Sequence, residues 1–156
     1  MEEIFFNKEG RDKLILGINK LNQAVSSTLG PNGKNVIIPD RKTGEYKVTK
    51  DGVSIAREVF FKDPLENIGA QLVKQTAEKT VEEAGDGTTT STVLATAFVN
   101  NLKDFNSVDI NKAFDEIIPK VIEQLKLNSR ELKHEDIKHV ASISANNDLQ
   151  IGELIQ

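Results

Sequence analysis

Apolar residues recur along most of this sequence at spacings of three and four, and a chain patterned that way buries its apolar surface as packed helices rather than as sheet. Leu14, Ile18, Leu21, Val25 and Leu29 share one face of a helix predicted from about Lys8 to Leu29. Asn7 is placed to cap it and Gly30-Pro31 to stop it. A second long helix opens with Asp63 as cap and Pro64 at the first helical position, then runs to Ala84 before Gly85 breaks it. Leu65, Ile68, Leu72 and Val73 are its expected buried residues. A third helix starts inside a threonine cluster and carries Val93, Leu94, Ala97, Phe98, Leu102 and Phe105. A fourth, after Ser107 or Asp109, sets Ile110, Phe114, Ile117, Val121 and Leu125 on one face. Pro119 lies within it and predicts a kink, since proline lacks a backbone donor and crowds the preceding turn. Asn128-Ser129-Arg130 reads as a connection, Glu135 to Ile143 as a short helix, and Asp148 as the cap of another beginning at Leu149. Two β-like stretches, Asn35 to Ile38 and Tyr46 to Thr49, flank the turn Lys42-Thr43-Gly44-Glu45 and predict a hairpin. The expected fold class is mostly α (α+β).

Composition narrows the chemistry. The 156 residues suffice for one ordinary domain, and a mean hydropathy of -0.36 with 28% charged residues is that of a globular protein rather than a membrane or disordered one. With 24 acidic against 20 basic residues the net charge is -4, which argues against nucleic acid as a partner, because a phosphate backbone requires a basic face. The absence of cysteine excludes disulfides, thiolate nucleophiles and cysteine-ligated zinc. Met1-Glu2-Glu3-Ile4-Phe5-Phe6 lacks the basic flank and apolar stretch of a signal peptide, and no run approaches the ~18 apolar residues of a membrane span. No membrane partner and a cytoplasmic location are therefore expected. The sequence stops at Gln156, one or two turns into an amphipathic helix, which fits either a frayed terminal helix or a piece of a larger design.

Two glycine-bearing segments sit at predicted helix ends. In Gly85-Asp86-Gly87-Thr88-Thr89-Thr90-Ser91-Thr92, the glycines allow close backbone approach and the free N–H groups of a helix start favour an anion. The hydroxyls add neutral donors. A lone carboxylate among them suits Mg²⁺, which is usually held by one or two carboxylates plus substrate phosphates. The composition thus suggests a metal–nucleotide site, and a helix junction capped by Asp and Thr is the alternative. In Thr28-Leu29-Gly30-Pro31-Asn32-Gly33-Lys34 the spacing of a phosphate loop is absent, and alone it reads as a helix stop and turn. Lys50-Asp51-Gly52 reads as a turn after the hairpin, unless Asp51 is brought near a phosphate, where it would orient attacking water. His134 and His139 have no convincing ligand set, and Glu78, Lys79, Glu82 and Glu83 read as a solvated helix face.

Five segments together carry a resemblance. Thr28-Leu29-Gly30-Pro31-x-Gly33-Lys34-Asn35-Val36, Thr49-Lys50-Asp51-Gly52-Val53, Glu66-Asn67-x-Gly69-Ala70-Gln71-Leu72-Val73-Lys74, Ala84-Gly85-Asp86-Gly87-Thr88-Thr89-Thr90 and Ser142-Ile143-Ser144-Ala145-Asn146 resemble the group I chaperonins, the GroEL family, in order and near spacing. The resemblance covers essentially the whole chain. Each motif alone is weak, whereas five in register are specific. The sequence departs from the family's pattern at the hairpin tip, Arg41 to Tyr46, which is charged, and at Asp104-Phe105-Asn106-Ser107, a shorter connection.

The resemblance implies an ATP-dependent folding machine. Residues 1–126 would be the first segment of its equatorial ATP-binding domain, an incomplete helical bundle with a small hairpin and an N-terminal strand at Ile4-Phe5-Phe6. Residues 127–156 would open the intermediate hinge domain. The apical domain, through which such proteins bind unfolded clients and the co-chaperonin, is not among these motifs. Position by position, Thr28, Leu29, Gly30 and Pro31 correspond to the family's phosphate loop, with Lys50 and Gly52 beside it. Asp86 corresponds to the Mg²⁺ ligand, and Gly87, Thr88, Thr89 and Thr90 to the phosphate donors. Thr28, Lys50 and Thr89 would lie near a K⁺ site, and Asp51 matches a carboxylate that positions the hydrolytic water. The implied partners are other subunits of a ring, and the isolated chain is expected to be a poor ATPase. A different reading is a stand-alone module that docks on or modulates a complete chaperonin ring without turnover of its own.

Overall fold

Close backbone approach, more than bulky side chains, organises the centre of the computed structural model, which describes residues 7–39, 44–145 and 148–156. The strand expected at Ile4-Phe5-Phe6, the side chain of Asn7, the hairpin tip from Arg41 to Thr43 and Asn146 lie outside the described residues. The elements run α1 (Asn7–Ser26), β1 (Val36–Pro39), β2 (Tyr46–Thr49), α2 (Gly52–Glu58), α3 (Pro64–Ala84), α4 (Thr88–Leu102), α5 (Ser107–Asn128), α6 (His134–Ser144) and α7 (Leu149–Ile155). The fold is mostly helical with one small antiparallel pair of strands, as the periodicity predicts. Among the described residues no helix is long and apolar enough to cross a membrane. Two compact units divide between Asp104 and Phe105.

In the first unit, α1 and α3 touch where each carries a glycine. A Cβ added at Gly17 would fall onto the Glu66 carbonyl oxygen, and one added at Gly69 onto that of Leu14. Ion pairs flank the crossing, Lys13 to Asp63 at 3.0 Å and Lys20 to Glu66 at 2.6 Å, and the Lys20 ammonium also lies 5.6 Å from the centre of the Phe61 ring. Asp63 caps α3 as expected, accepting from the Leu65 and Glu66 amides, with Pro64 opening the helix and Gly85 ending it at φ 77°. The core behind this crossing is Ile18, Leu21, Val25, Ile38, Ile55, Ala56, Ala70 and Val73.

The inward face of α3 differs from the expectation. Gly69, Ala70, Val73, Lys74 and Ala77 are buried, whereas Ile68 and Leu72 are exposed. The small side chains win the inner position because only they admit α1 at backbone distance. A related reversal occurs in α4, which buries Thr88, Thr92 and Thr96 and leaves Leu94 and Phe98 about half exposed. Thr92 and Thr96 can be buried because their hydroxyls are satisfied within the helix, Thr92 donating to the Thr88 carbonyl at 2.9 Å and Thr96 to that of Thr92 at 2.8 Å. α1 runs antiparallel to α4, as bonds from Asn100 to Asn19 at 2.7 Å and from Arg11 to the Lys103 carbonyl at 2.8 Å require.

The hairpin pairs Val36 with Thr49, Ile37 with Val48, Ile38 with Lys47 and Pro39 with Tyr46. Ile38 is buried in the core with Val36 packed against it, and Ile37, Val48 and Tyr46 are exposed. α1 ends at Ser26, three residues short of the predicted Leu29, which is itself exposed. α2, by contrast, falls where the sequence suggested only a turn.

In the second unit, α6 and α7 pack through Gly152, where a Cβ would fall onto Ser142 Oγ, with Lys138 bonded to Glu153 at 2.6 Å. Asp148 caps α7 as predicted, accepting from the Gln150 and Ile151 amides. α5 begins after Asn106, which caps it, contains Pro119 and buries none of its residues. His134 and His139 are both exposed.

Candidate functional site

Three segments distant in sequence meet at one corner of the first unit. α2 enters it through Gly52, which is buried against α4 and α1. A Cβ there would fall onto Thr89 Oγ1 and lie 3.2 Å from Val25 Cγ1. Glycine is therefore required by the close approach of two helix starts. Thr28 belongs to the same corner, because its hydroxyl donates to the Val25 carbonyl at 2.8 Å. Beyond Thr28 the chain turns on itself, with the Gly33 amide bonded to the Gly30 carbonyl at 3.0 Å and the Lys34 amide to that of Ser27 at 2.8 Å. Leu29, Gly30 and Pro31 stand exposed on that turn, and Gly30 takes a φ of 76°.

The start of α4 is built to leave donors open. Its N-cap is Gly87, at φ 98°, and no side chain caps the helix. The backbone folds back so that the Gly87 amide donates to Asp86 Oδ1 at 2.6 Å, leaving the Asp86 carboxylate exposed beside the helix end. Thr88 is buried, Thr89 half-buried against Gly52, and Thr90 exposed. Unsatisfied N–H groups and the positive end of the helix dipole make such a terminus attractive to an anion.

Asp51 is differently employed. It is the N-cap of α2, accepting from the Val53 amide at 3.1 Å, the Ser54 amide at 3.0 Å and the Ser54 hydroxyl at 2.6 Å. Burial alone would raise its pKa. The Ser54 hydroxyl, the Ser54 and Val53 amides and the charge of Lys47 outweigh that, and hold the carboxyl below the ordinary aspartate range. Lys50 is exposed next to it. Sequence reasoning missed Ser54, which the cap pattern Asp51-Gly52-Val53-Ser54 could have revealed. Among the described residues no group of three or more His, Asp or Glu side chains could hold a metal by themselves.

The arrangement of these helices is that of chaperonins. The chaperonin gp146 from the bacteriophage EL 2 (Pseudomonas aeruginosa), solved in the presence of ATP-BeFx, superposes with a TM-score of 0.82 at 31% identity over 95% of this chain. A second crystal form gives 0.83 at 30% identity over 96%. A group III chaperonin in the open state gives 0.72 at 25% identity over 93%. The sequence agrees: residues 21–155 match the model of the TCP-1/cpn60 chaperonin family, and the chain belongs to that family. It spans 27% of the length of the phage chaperonin and 30% of the group III chain.

Proposed function

We propose that this chain is the nucleotide-binding segment of an ATP-driven protein-folding chaperonin. The observation that carries the reading is the seating of Gly52 against Thr89, which joins Asp51 to the uncapped start of α4. An ATP polyphosphate would sit on the amides and hydroxyls of Gly87 to Thr90, with the turn from Thr28 to Pro31 and the Lys50 ammonium beside it. The residues fit a Mg²⁺ ion as well: one exposed carboxylate, Asp86, next to an anion-binding helix end is the donor set of a metal that takes its other ligands from phosphate and water. The ion would supply charge neutralisation on the phosphates. Thr28, Lys50 and Thr89 would border a K⁺ site. That a phage chaperonin of the same fold was solved with ATP-BeFx supports the nucleotide part of the reading.

Asp51 would orient water rather than take its proton, since a carboxylate held below its ordinary pKa is a weak base but keeps its charge. The group I motifs favour an assignment of residues 1–126 to the equatorial domain and 127–156 to the start of the hinge. Ring subunits would be the partners of this segment, while clients and a co-chaperonin would be met by parts of the protein beyond these residues. A cytoplasmic folding machine is the setting that fits.

The test is Asp86→Ala in the native protein. Without the metal-bridging carboxylate, Mg²⁺-dependent nucleotide affinity and ATP hydrolysis should both be lost, because phosphate charge is left uncompensated. Titration of Mg-ATP by calorimetry with unchanged affinity in the variant would overturn the site, and would leave docking on another chaperonin ring as the better account of the chain.

A further inference from the structure

A lysine at the far end of α2 ties this corner together. Lys74 lies on α3, only 7% exposed, and its ammonium donates to the Val59 carbonyl at 2.5 Å and the Arg57 carbonyl at 3.4 Å. These carbonyls close the C-terminal end of α2, where the last acceptors of a helix lack intrahelical partners and a cation is favoured. α2 has seven residues, too few to hold its own conformation in water, so its position is set by what grips it. Ile55 and Ala56 grip its flank in the core, Gly52 rests against Thr89 at one end, and Lys74 holds the other. α3 also leads directly, through Gly85, into Asp86 and the start of α4. The ammonium thus connects the helix that carries Asp51 to the helix that delivers Asp86.

We infer that Lys74 is a positioning residue for Asp51. By pinning the C-terminal carbonyls of α2 to α3, it fixes where the Asp51 carboxylate stands relative to Asp86 and the α4 start. The inference rests on the nucleotide reading above, and it extends that reading to a residue on a different helix, α3, which grips α2 at Arg57 and Val59, the end opposite Asp51. It implies a division of labour. The groups that would hold the metal and most of the phosphate, Asp86 to Thr90, stand at the α3–α4 junction and do not depend on Lys74, whereas the turnover group, Asp51, caps α2 and does.

The experiment compares the native protein with Lys74→Met, Lys74→Arg, Asp51→Ala and the Lys74→Met/Asp51→Ala double variant. Steady-state ATP hydrolysis is measured alongside amide exchange at Ile55 and Val59, whose amides bond within α2, and at Ser91, whose amide bonds to Gly87 at the start of α4. Lys74→Met should lower kcat at least about tenfold, since a misplacement of ~1 Å can cost ~100-fold, while KM for Mg-ATP stays within about twofold. Exchange should quicken at Ile55 and Val59 and not at Ser91. Lys74→Arg, which keeps a cation able to reach both carbonyls, should recover most of kcat. In the Asp51→Ala background the second substitution should add little, because a residue acting through Asp51 has nothing left to act on.

Unchanged kcat in Lys74→Met overturns the inference. So does a full additional loss in the double variant, which would mean that Lys74 supports the fold and not Asp51. If Lys74→Met does not fold, the Arg variant decides: wild-type exchange at Ile55 and Val59 with kcat restored supports the pin, and a kcat as low as that of Asp51→Ala despite wild-type exchange refutes it. Failure of the native protein to bind or hydrolyse Mg-ATP would be seen first, and would count against the nucleotide reading rather than against Lys74 alone.

Discussion

At Asp51 two jobs fall on one carboxylate. Three donors already converge on its two oxygens, and an ionised carboxylate offers roughly four lone-pair sites, so about one remains to hold a water. Asp51→Asn separates the jobs, because Asn caps a helix about as well as Asp and lacks the charge. The rate of ATP hydrolysis should fall in this variant while Mg-ATP affinity and unfolding free energy change little. A proportional loss of affinity would make Asp51 a ground-state ligand. The pH dependence follows from the direction of its shift. A group whose folded pKa is depressed stabilises the fold fully above the ordinary aspartate pKa of about 3.9, and that contribution is lost as pH falls through the lower folded value. Acid unfolding followed below pH ~4 should therefore lose the Asp51 share in Asp51→Asn. From sequence this residue is legible as chemistry only through the family motif, because Lys50-Asp51-Gly52 alone looks like any turn. Ser54 carries a local signal in the cap pattern Asp51-Gly52-Val53-Ser54, whereas the lysine at position 74 carries none, since what defines it is carbonyls fifteen and seventeen residues back.

Elements with strong end signals are the ones the sequence predicts well. Asp63-Pro64, Gly85 and Asp148 each place a boundary where the structure has it, because caps are local chemistry. α2 escapes because seven residues give too few repeats for a 3.6-residue period, and because its burial comes from neighbours far away in the chain. The inward faces of α3 and α4 are misread for a different reason. Hydrophobicity points to Ile68, Leu72, Leu94 and Phe98, while packing distance selects Gly69, Ala70, Thr92 and Thr96. The α1–α3 crossing gives the sharpest check on this. Gly17→Ala would gain about 1 kcal/mol of helix propensity, but its methyl group meets the Glu66 carbonyl, a backbone atom that cannot rotate away. Overpacking of this kind typically costs ~1–3 kcal/mol and occasionally more, so a net loss of about 1 kcal/mol is expected by denaturant unfolding. A stabilised Gly17→Ala protein would show that α1 and α3 sit further apart than described.

For the molecule as a whole, the apolar surface left uncovered decides how residues 1–156 behave when expressed alone. α5 has 22 residues and buries none, and Ile117, Val121 and Leu125 on its apolar face are 52%, 50% and 64% exposed. Leu94 and Phe98 on α4 and Ile68 and Leu72 on α3 add to it, as do Ile37 and Val48 on the hairpin. Single exposed apolar residues are ordinary, but a stripe along a long helix is a surface that wants a partner. At about 25 cal/mol per Å², leaving ~400 Å² of such surface in water forgoes on the order of 10 kcal/mol, as much as the whole stability of a typical domain. Strand pairing compounds the problem, since among the described residues each strand of the two-stranded sheet has an unpaired edge. The polypeptide of residues 1–156 by itself should therefore self-associate or stay loosely packed, with α5 amides exchanging rapidly, and should hydrolyse ATP poorly. Sedimentation velocity, amide exchange and a turnover assay on the same sample check this together. A monodisperse monomer with α5 strongly protected would mean that the apolar face of this helix finds its cover within residues 1–156.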